Sequence, residues 1–243
     1  YNAGRSEEVL GRALVGRRGE ALIATKVSPQ NTAPATLRAH CEASLHRLQT
    51  DYIDLYQLHW PITNHSVADA SGTLAQLKAE GKIRQIGVSN HGVRQLTEVL
   101  STSVPIASNQ LCYSLLSRAI EEEILPLCPR RGIGVLTYMP LNQGLLAGQW
   151  ATPDEVPPFR ARTRHFRGDR PAARPGEPGA EEETFAALDR IREIAKEIGA
   201  PMAHVALAWV ASKPGVSCVL VGSRKPEQLT RNLAAASLRL PPD

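Results

Sequence analysis

The feature that most limits the fold of this chain is a repeated unit: a short apolar run of strand length, a polar residue at its end, then a segment with apolar residues at helical spacing. Six such runs follow one another, at 21–26, 51–59, 83–88, 105–108, 133–137 and 216–221. Short apolar runs bounded by turn residues read as buried strands, and strands alternating with helices read as parallel βα units with right-handed crossovers. The clearest is Asp51-Tyr52-Ile53-Asp54-Leu55-Tyr56-Gln57-Leu58-His59-Trp60-Pro61. Its β-branched and aromatic residues suit a pleated, covered surface, and Pro61 cannot continue a ladder, so the strand is expected to stop at about His59.

Between the runs lie predicted helices. Ser6 to Val15 has Ser6 as expected N-cap and Glu7 and Glu8 at the positive end of the dipole. Thr32 to Gln49 carries Pro34 in its first turn and Leu37, Cys41, Leu45 and Leu48 on one face. Further helices are expected over Thr73 to Glu80, Val93 to Leu100, Ala119 to Cys128, Glu181 to Glu197, Met202 to Ala211 and from about Pro226. Residues Leu141 to Ala180 are rich in Pro, Gly and Arg, and a connection of that length predicts a solvated lid or binding loop.

A chain of 243 residues suits one α/β barrel domain of about 250 residues. Eight βα units close a barrel, whereas six leave two sheet edges open. The expected fold class is therefore an α/β (β/α)8 TIM barrel over residues 1–243, with two strands and one helix expected to precede Tyr1; an open, doubly wound six-stranded sheet is the alternative. No 18-residue apolar run is present to span a membrane, and no signal peptide is visible. The net charge of +4 owes much to Arg160, Arg162, Arg164, Arg167, Arg170 and Arg174 in one segment. That segment has few stacking aromatics, so no nucleic-acid partner is expected. Cys41, Cys112, Cys128 and Cys218 lack metal spacing and are expected as buried free thiols in a reducing cytoplasm. No His-x-His ends a strand, so no metal is expected.

The strand ends carry the chemistry. In order they are Lys26, His59, Ser89 with Asn90, Asn109 with Gln110, Tyr138, and Gly222-Ser223-Arg224. In a parallel α/β fold these ends lie on the face where sites form, and a few placed polar groups over an apolar body define a site. The last turn, between a strand and a helix, offers backbone N–H groups and a guanidinium to a phosphate.

Taken together, these segments resemble the aldo-keto reductase family along essentially the whole chain. The resemblance rests on Tyr1 to Glu8, Ala24-Thr25-Lys26, Ser44 to His59, Ser89-Asn90, Asn109-Gln110, Tyr138 to Gly148, and Gly222 to Asn232. It implies a TIM barrel that reduces aldehyde or ketone carbonyls with NADPH and lacks the G-x-G-x-x-G dinucleotide fingerprint, which is indeed missing here. It makes Tyr1 the proton donor, Lys26 the cation that eases loss of its proton, and His59 the group that orients the substrate oxygen. A phenol with a pKa of about 10 needs such help at neutral pH. It further implies that Ser89, Asn90 and Gln110 hold the carboxamide of nicotinamide, with Tyr138 under the ring. Leu141, Gly144 and Leu145 would line the pyrophosphate. Gly222, Ser223, Arg224, Gln228 and Asn232 would hold the adenosine end, with Arg224 on a 2′-phosphate. The partner is a small carbonyl substrate; substrate identity and oligomeric state stay open. The family's aspartate five residues before the tyrosine would precede this chain, Asn2 replaces a frequent glycine, and Gln149 a frequent lysine. A second reading, also drawn from the family, is a cofactor-sensing module like the potassium-channel β subunits.

Overall fold

A computed structural model describes residues 1–173, 176 and 178–241. Arg174, expected within the arginine-rich segment, lies outside the described residues. The chain forms two compact units, the first from 1–111 and 122–135, the second from 112–121 and 136–243.

In the first unit, α1 (Arg5–Ala13), β1 (Ala24–Val27), α2 (Pro34–Leu48), β2 (Ile53–Leu58), α3 (Val67–Ala79), β3 (Ile83–Ser89), α4 (Val93–Leu100) and β4 (Ser108–Cys112) alternate along the chain. The four strands pair in chain order. All three pairings are parallel, with Ala24 opposite Leu55, Ile53 opposite Ile83, and Gly87 opposite Ser108. Gly87 is required at its place in β3, because a Cβ there would lie 2.7 Å from Ser108 Oγ and 3.0 Å from Leu55 Cδ1. Ile53, Tyr56, Leu58, Ile83, Ile86 and Val88 of the strands are buried, as are Leu37, Cys41, Leu48, Leu74, Leu77 and Leu96 of the helices. This is the two-layer burial that makes parallel strands read as continuous apolar runs.

The first unit continues through α5 (Ile124–Arg130) into β5 (Gly134–Tyr138), whose first residue donates its N–H to Ala107 O at 3.0 Å. The second unit holds the end of β5, α6 (Glu181–Ile198), α7 (Met202–Ser212), β6 (Val216–Val219) and α8 (Pro226–Ala234). There Leu220 N–H donates to Thr137 O at 2.8 Å, joining the β6 side to β5. Its core gathers Leu145, Leu146, Phe166, Phe185, Leu188, Val205 and Ala206.

Among the described residues six strands are present as expected, but several details differ. Ser6 lies inside α1, and the N-cap is Gly4 in the left-handed region at φ 91°. The expected strand 21–26 is β1 at 24–27, and it is not fully buried: it has a partner on one side, and Leu22 just before it is 87% exposed. The expected run 105–108 is instead β4, so Asn109 and Gln110 stand within a strand rather than at its tip. Helix α3 starts six residues earlier than its apolar spacing indicates, because Ser66 caps it by accepting from Asp69 N–H at 3.1 Å. Residues 119–128 divide into a 3-10 turn, Ala119–Glu121, and α5. All four cysteines are free, with Cys41 and Cys128 buried, Cys112 half-buried and Cys218 exposed on the thin strand β6.

The segment between β5 and α6 is not purely solvated. Val156, Ala161 and Phe166 are buried in the second unit's core. Arg170 pairs with Glu181 at the start of α6 and with Asp154 at 2.9 Å. Long loops stay mobile when they bury little; this one is anchored at both apolar and ionic points.

One buried charge ties the entry of β1 to β2. The Asp54 carboxylate accepts from Ile23 N–H at 2.9 Å, Arg18 Nη2 at 2.7 Å and Arg84 Nη1 at 3.1 Å. Both guanidinium groups also stack on Tyr52, at 4.0 and 3.8 Å from its ring centroid. Burial by itself would raise this carboxyl, but the Ile23 N–H and the two arginines outweigh it and hold it below its ordinary 3.8. Asp54→Ala is expected to cost about 1 to 3 kcal/mol, since it leaves the buried Ile23 N–H and the Arg18 guanidinium without their acceptor. Because the native value is depressed, the contribution is complete above the unfolded value and fades as pH falls through the native one. Denaturant midpoints measured from neutral to acid pH should therefore differ most between parent and variant at neutral pH and converge in acid; a constant gap would show that the charge is not responsible.

Candidate active site

In the first unit, the end of β1, the end of β2 and the chain's first residues converge. Tyr1 precedes a 3-10 turn, Asn2–Gly4, that leads into α1. Glu7 in the first turn of α1 fixes this approach. One of its oxygens accepts from Thr25 Oγ1 at 2.6 Å and the other from Arg47 Nε at 2.7 Å. Arg47 passes beneath Gly4, where a Cβ would lie 2.6 Å from its Cδ. Burial pushes the Glu7 carboxyl up, but the bonds from Thr25 and Arg47 prevail and lower it, so it is ionised at neutral pH. Glu7 thus joins α1 to β1 and α2, beyond the dipole role read from the sequence.

Tyr1 Oη lies 3.1 Å from His59 Nε2, and the rings meet edge-on at 5.5 Å. Lys26 Nζ lies 5.3 Å from the centroid of the Tyr1 ring. The three residues singled out at separate places in the sequence are therefore brought together. Burial lowers the His59 imidazole, helped by the charge of Lys26, so it is neutral at pH 7. Burial likewise lowers Lys26. Tyr1 is 75% exposed, yet its hydroxyl end abuts His59, and desolvation there raises the phenol. Burial alone accounts for the raised phenol, with the Lys26 cation over its ring.

A second cluster holds His59 from behind. Asn90, in the left-handed region at φ 60°, donates from Nδ2 to His59 O at 3.0 Å and to Ser89 Oγ at 3.1 Å. Ser89 Oγ and Asn90 N–H both donate to Gln110 O, each at 2.9 Å. Gln110 Oε1 in turn accepts from Gln57 Nε2 at 3.2 Å. Buried His91, which the sequence reading missed, lies with Nδ1 at 2.9 Å from Ser89 O, and burial keeps it neutral. Asn109, fully buried, donates to His91 O at 2.8 Å. Asn109 is thus an internal brace, and packing accounts for it, contrary to its expected place among exposed strand tips.

In the second unit a cavity of about 700 Å³ lies against Leu141, Gly144, Gly222, Arg224, Gln228 and Asn232, six of the residues expected there. Ser223 contributes indirectly, accepting from Asn232 Nδ2 at 3.2 Å, and Arg224 N–H donates to Gln228 Oε1 at 2.9 Å. Leu145 is the exception: it is 4% exposed and packed into the core, because the 3-10 turn Asn142–Ala147 points it inward. Tyr138, half-buried at the end of β5, accepts through its carbonyl from Tyr113 N–H at 3.2 Å. Arg160, Arg231 and His204 also line the cavity. The Arg224, Gln228, Arg231 spacing was the available sign of the second of these. Among the described residues no His, Cys, Asp and Glu group could hold a metal, and no helix is long and apolar enough to cross a membrane.

The protein is therefore a parallel α/β protein with a phenol, an imidazole and an ammonium grouped at strand ends in one unit and a cationic cavity in the other. It belongs to the aldo/keto reductase family, whose model matches residues 1–243. The aldo-keto reductase YhdN of Bacillus subtilis is 32% identical over 240 residues, covering 94% of this chain and 70% of the relative. The NADH-specific methylglyoxal reductase of Escherichia coli is 32% identical over 263 residues, covering 99% and 77%. An aldo/keto reductase from Klebsiella pneumoniae, solved with NADP and acetate, superposes with a TM-score of 0.77 at 31% identity, covering 98% of this chain and 72% of that one. The glycerol dehydrogenase AKR11B4 of Gluconobacter oxydans does so with 0.83 at 29% identity, covering 98% and 74%.

The charge environment of His59 gives an expectation independent of turnover. By NMR its imidazole should titrate below the ordinary 6.5. Lys26→Met should move that value upward, because one repelling charge is removed while burial stays. An unchanged titration in the variant would show that Lys26 does not act on the imidazole.

Proposed function

We propose that the protein is an NADPH-dependent carbonyl reductase acting on aldehydes or ketones, with Tyr1, Lys26 and His59 as its catalytic residues. The observation that carries this reading is the 3.1 Å contact between Tyr1 Oη and His59 Nε2. When bound, the nicotinamide supplies the hydride that adds to the carbonyl carbon. Tyr1 gives its proton to the carbonyl oxygen, so the product is an alcohol and the residue is left as phenolate. The raised phenol stays protonated through neutral pH, which a donor requires. Neutral His59, when it carries its proton on Nε2, donates to the phenol oxygen and leaves the O–H free to point at the substrate. Lys26 attracts the phenolate as it forms, a transition-state contribution of the electrostatic kind.

For the cofactor we assign Ser89, Asn90, Gln110 and Tyr138 to the nicotinamide end. Leu141 and Gly144 are assigned to the pyrophosphate, and Gly222, Ser223, Arg224, Gln228 and Asn232 to the adenosine end. The cavity fits an anionic nucleotide: three arginines line it and, among the described lining residues, no carboxylate does. One relative is named for NADH and a structural neighbour holds NADP, so the preference has to come from this chain's own cations, and Arg224 favours the phosphorylated form.

Tyr1→Phe should lower turnover by about 10² to 10⁴, the usual worth of general acid catalysis, while NADPH affinity stays near parental. Steady-state rates with 4-nitrobenzaldehyde and fluorescence titration of the cofactor check this; a rate within a few-fold of parent would make another group the donor. In the same titrations the parent should bind NADPH more tightly than NADH. Arg224→Ala should cost about 1.5 to 3 kcal/mol with NADPH and little with NADH. Equal parental affinities would remove the assignment of Arg224.

A further inference from the structure

We infer that Arg231 is a second phosphate-recognising cation of the cavity in the second unit, acting with Arg224 on a dianionic phosphomonoester of the bound nucleotide. This rests on the nucleotide reading above and adds a determinant of selectivity to it.

Several polar groups around the cavity are already engaged within the protein. Gln228 and Asn232 are engaged within the protein: Gln228 Oε1 accepts from Arg224 N–H, and Asn232 Nδ2 donates to Ser223 Oγ. They build the turn and leave less for a ligand. Arg160 is engaged as well, donating from Nη1 to Gln143 O at 2.7 Å with its guanidinium 5.4 Å from the ring centroids of Trp150 and Phe159. Arg224 and Arg231 line the same cavity, and among the described residues neither guanidinium forms an ion pair.

Arg231 has an ordinary alternative. Glu227 lies one turn before it on α8, at the spacing and in the orientation that favour a surface ion pair, yet that pair is not formed among the described residues. As a cation in the last turn, Arg231 also favours the helix dipole; that effect does not require it to border a cavity. Gln228 and Arg231 lie three apart on α8, Arg224 stands just before the N-cap Lys225, and all three border the same cavity. A guanidinium matches phosphate oxygens through paired N–H donors. A dianion gains from a second such group, whereas a neutral base or a ribose hydroxyl does not. Both arginines are exposed, so the attraction should weaken with salt.

The test uses calorimetric titration of 2′,5′-ADP and of 5′-AMP into the full chain, at low and moderate salt, with parent, Arg231→Gln and Arg231→Lys. Arg231→Gln should weaken 2′,5′-ADP about tenfold or more and leave 5′-AMP within about twofold. Arg231→Lys should recover most of the loss, and the loss should shrink with salt. Equal weakening of both nucleotides would assign Arg231 to the base or the shared phosphate and overturn the inference. Unchanged binding of both would leave it a solvated helix residue, with the nucleotide reading intact. A parent that binds neither nucleotide would overturn that reading too. Thermal melts of the variants, expected to match parent at this exposed position, separate binding loss from unfolding.

Discussion

The arrangement around Tyr1, Lys26 and His59 depends on one carboxylate, that of Glu7. It receives Thr25 from β1 and Arg47 from α2 on its two oxygens, and so sets where α1 starts and where the first residues of the chain run. Thr25 is the neighbour of Lys26, so the bond that holds α1 also sets the distance from the ammonium to the Tyr1 ring. Hydrogen bonds to a charged, half-buried acceptor are stronger than neutral ones, which suits a contact that must fix a terminal segment with few buried apolar groups of its own. Tyr1, Val9 and Leu10 are all exposed.

His59 is positioned by a different economy. Its backbone is held by Val27 on one side, through the β1–β2 ladder, and by the Asn90 amide on the other. Asn90 can reach because it adopts a left-handed conformation, which asparagine tolerates better than most residues. That turn is kept in place by Gln110, His91 and Asn109, all buried. Buried polar groups joined in this way restrict one another, so the network gives the imidazole a defined place and holds Ser89, Asn90 and Gln110 together.

The second unit shows the reverse distribution. Its long connection between β5 and α6 is tied down by Phe166 and by Arg170 with Glu181, while the cavity is bordered by apolar residues such as Leu141, Met202 and Val221 together with the exposed Arg224 and Arg231. Anchored structure lies behind the cavity, and exposed cations lie at its edge. A site for a large anionic ligand benefits from both: preformed walls, and charges that lose little entropy until the ligand arrives.

The sequence alone was enough to indicate the strand–helix alternation, the parallel order and the strand ends at Lys26 and His59, because buried strands and amphipathic helices have distinct apolar periods and strand ends fall at breakers; Tyr1 joined them only through the family resemblance. It also indicated the Gly222-Ser223-Arg224 turn. What only the tertiary structure decided were matters of partner and direction. Asn109 and Leu145 look like site residues in one dimension but are internal, since neither periodicity nor spacing tells which face of a short strand or 3-10 turn points inward. Glu7, His91 and Arg231 look ordinary in one dimension and gain their roles from residues 18 to 40 positions away or from a cavity wall. The place of the Lys26 ammonium, 5.3 Å from the centroid of the Tyr1 ring, is a matter of ångströms, set by packing that no local pattern encodes.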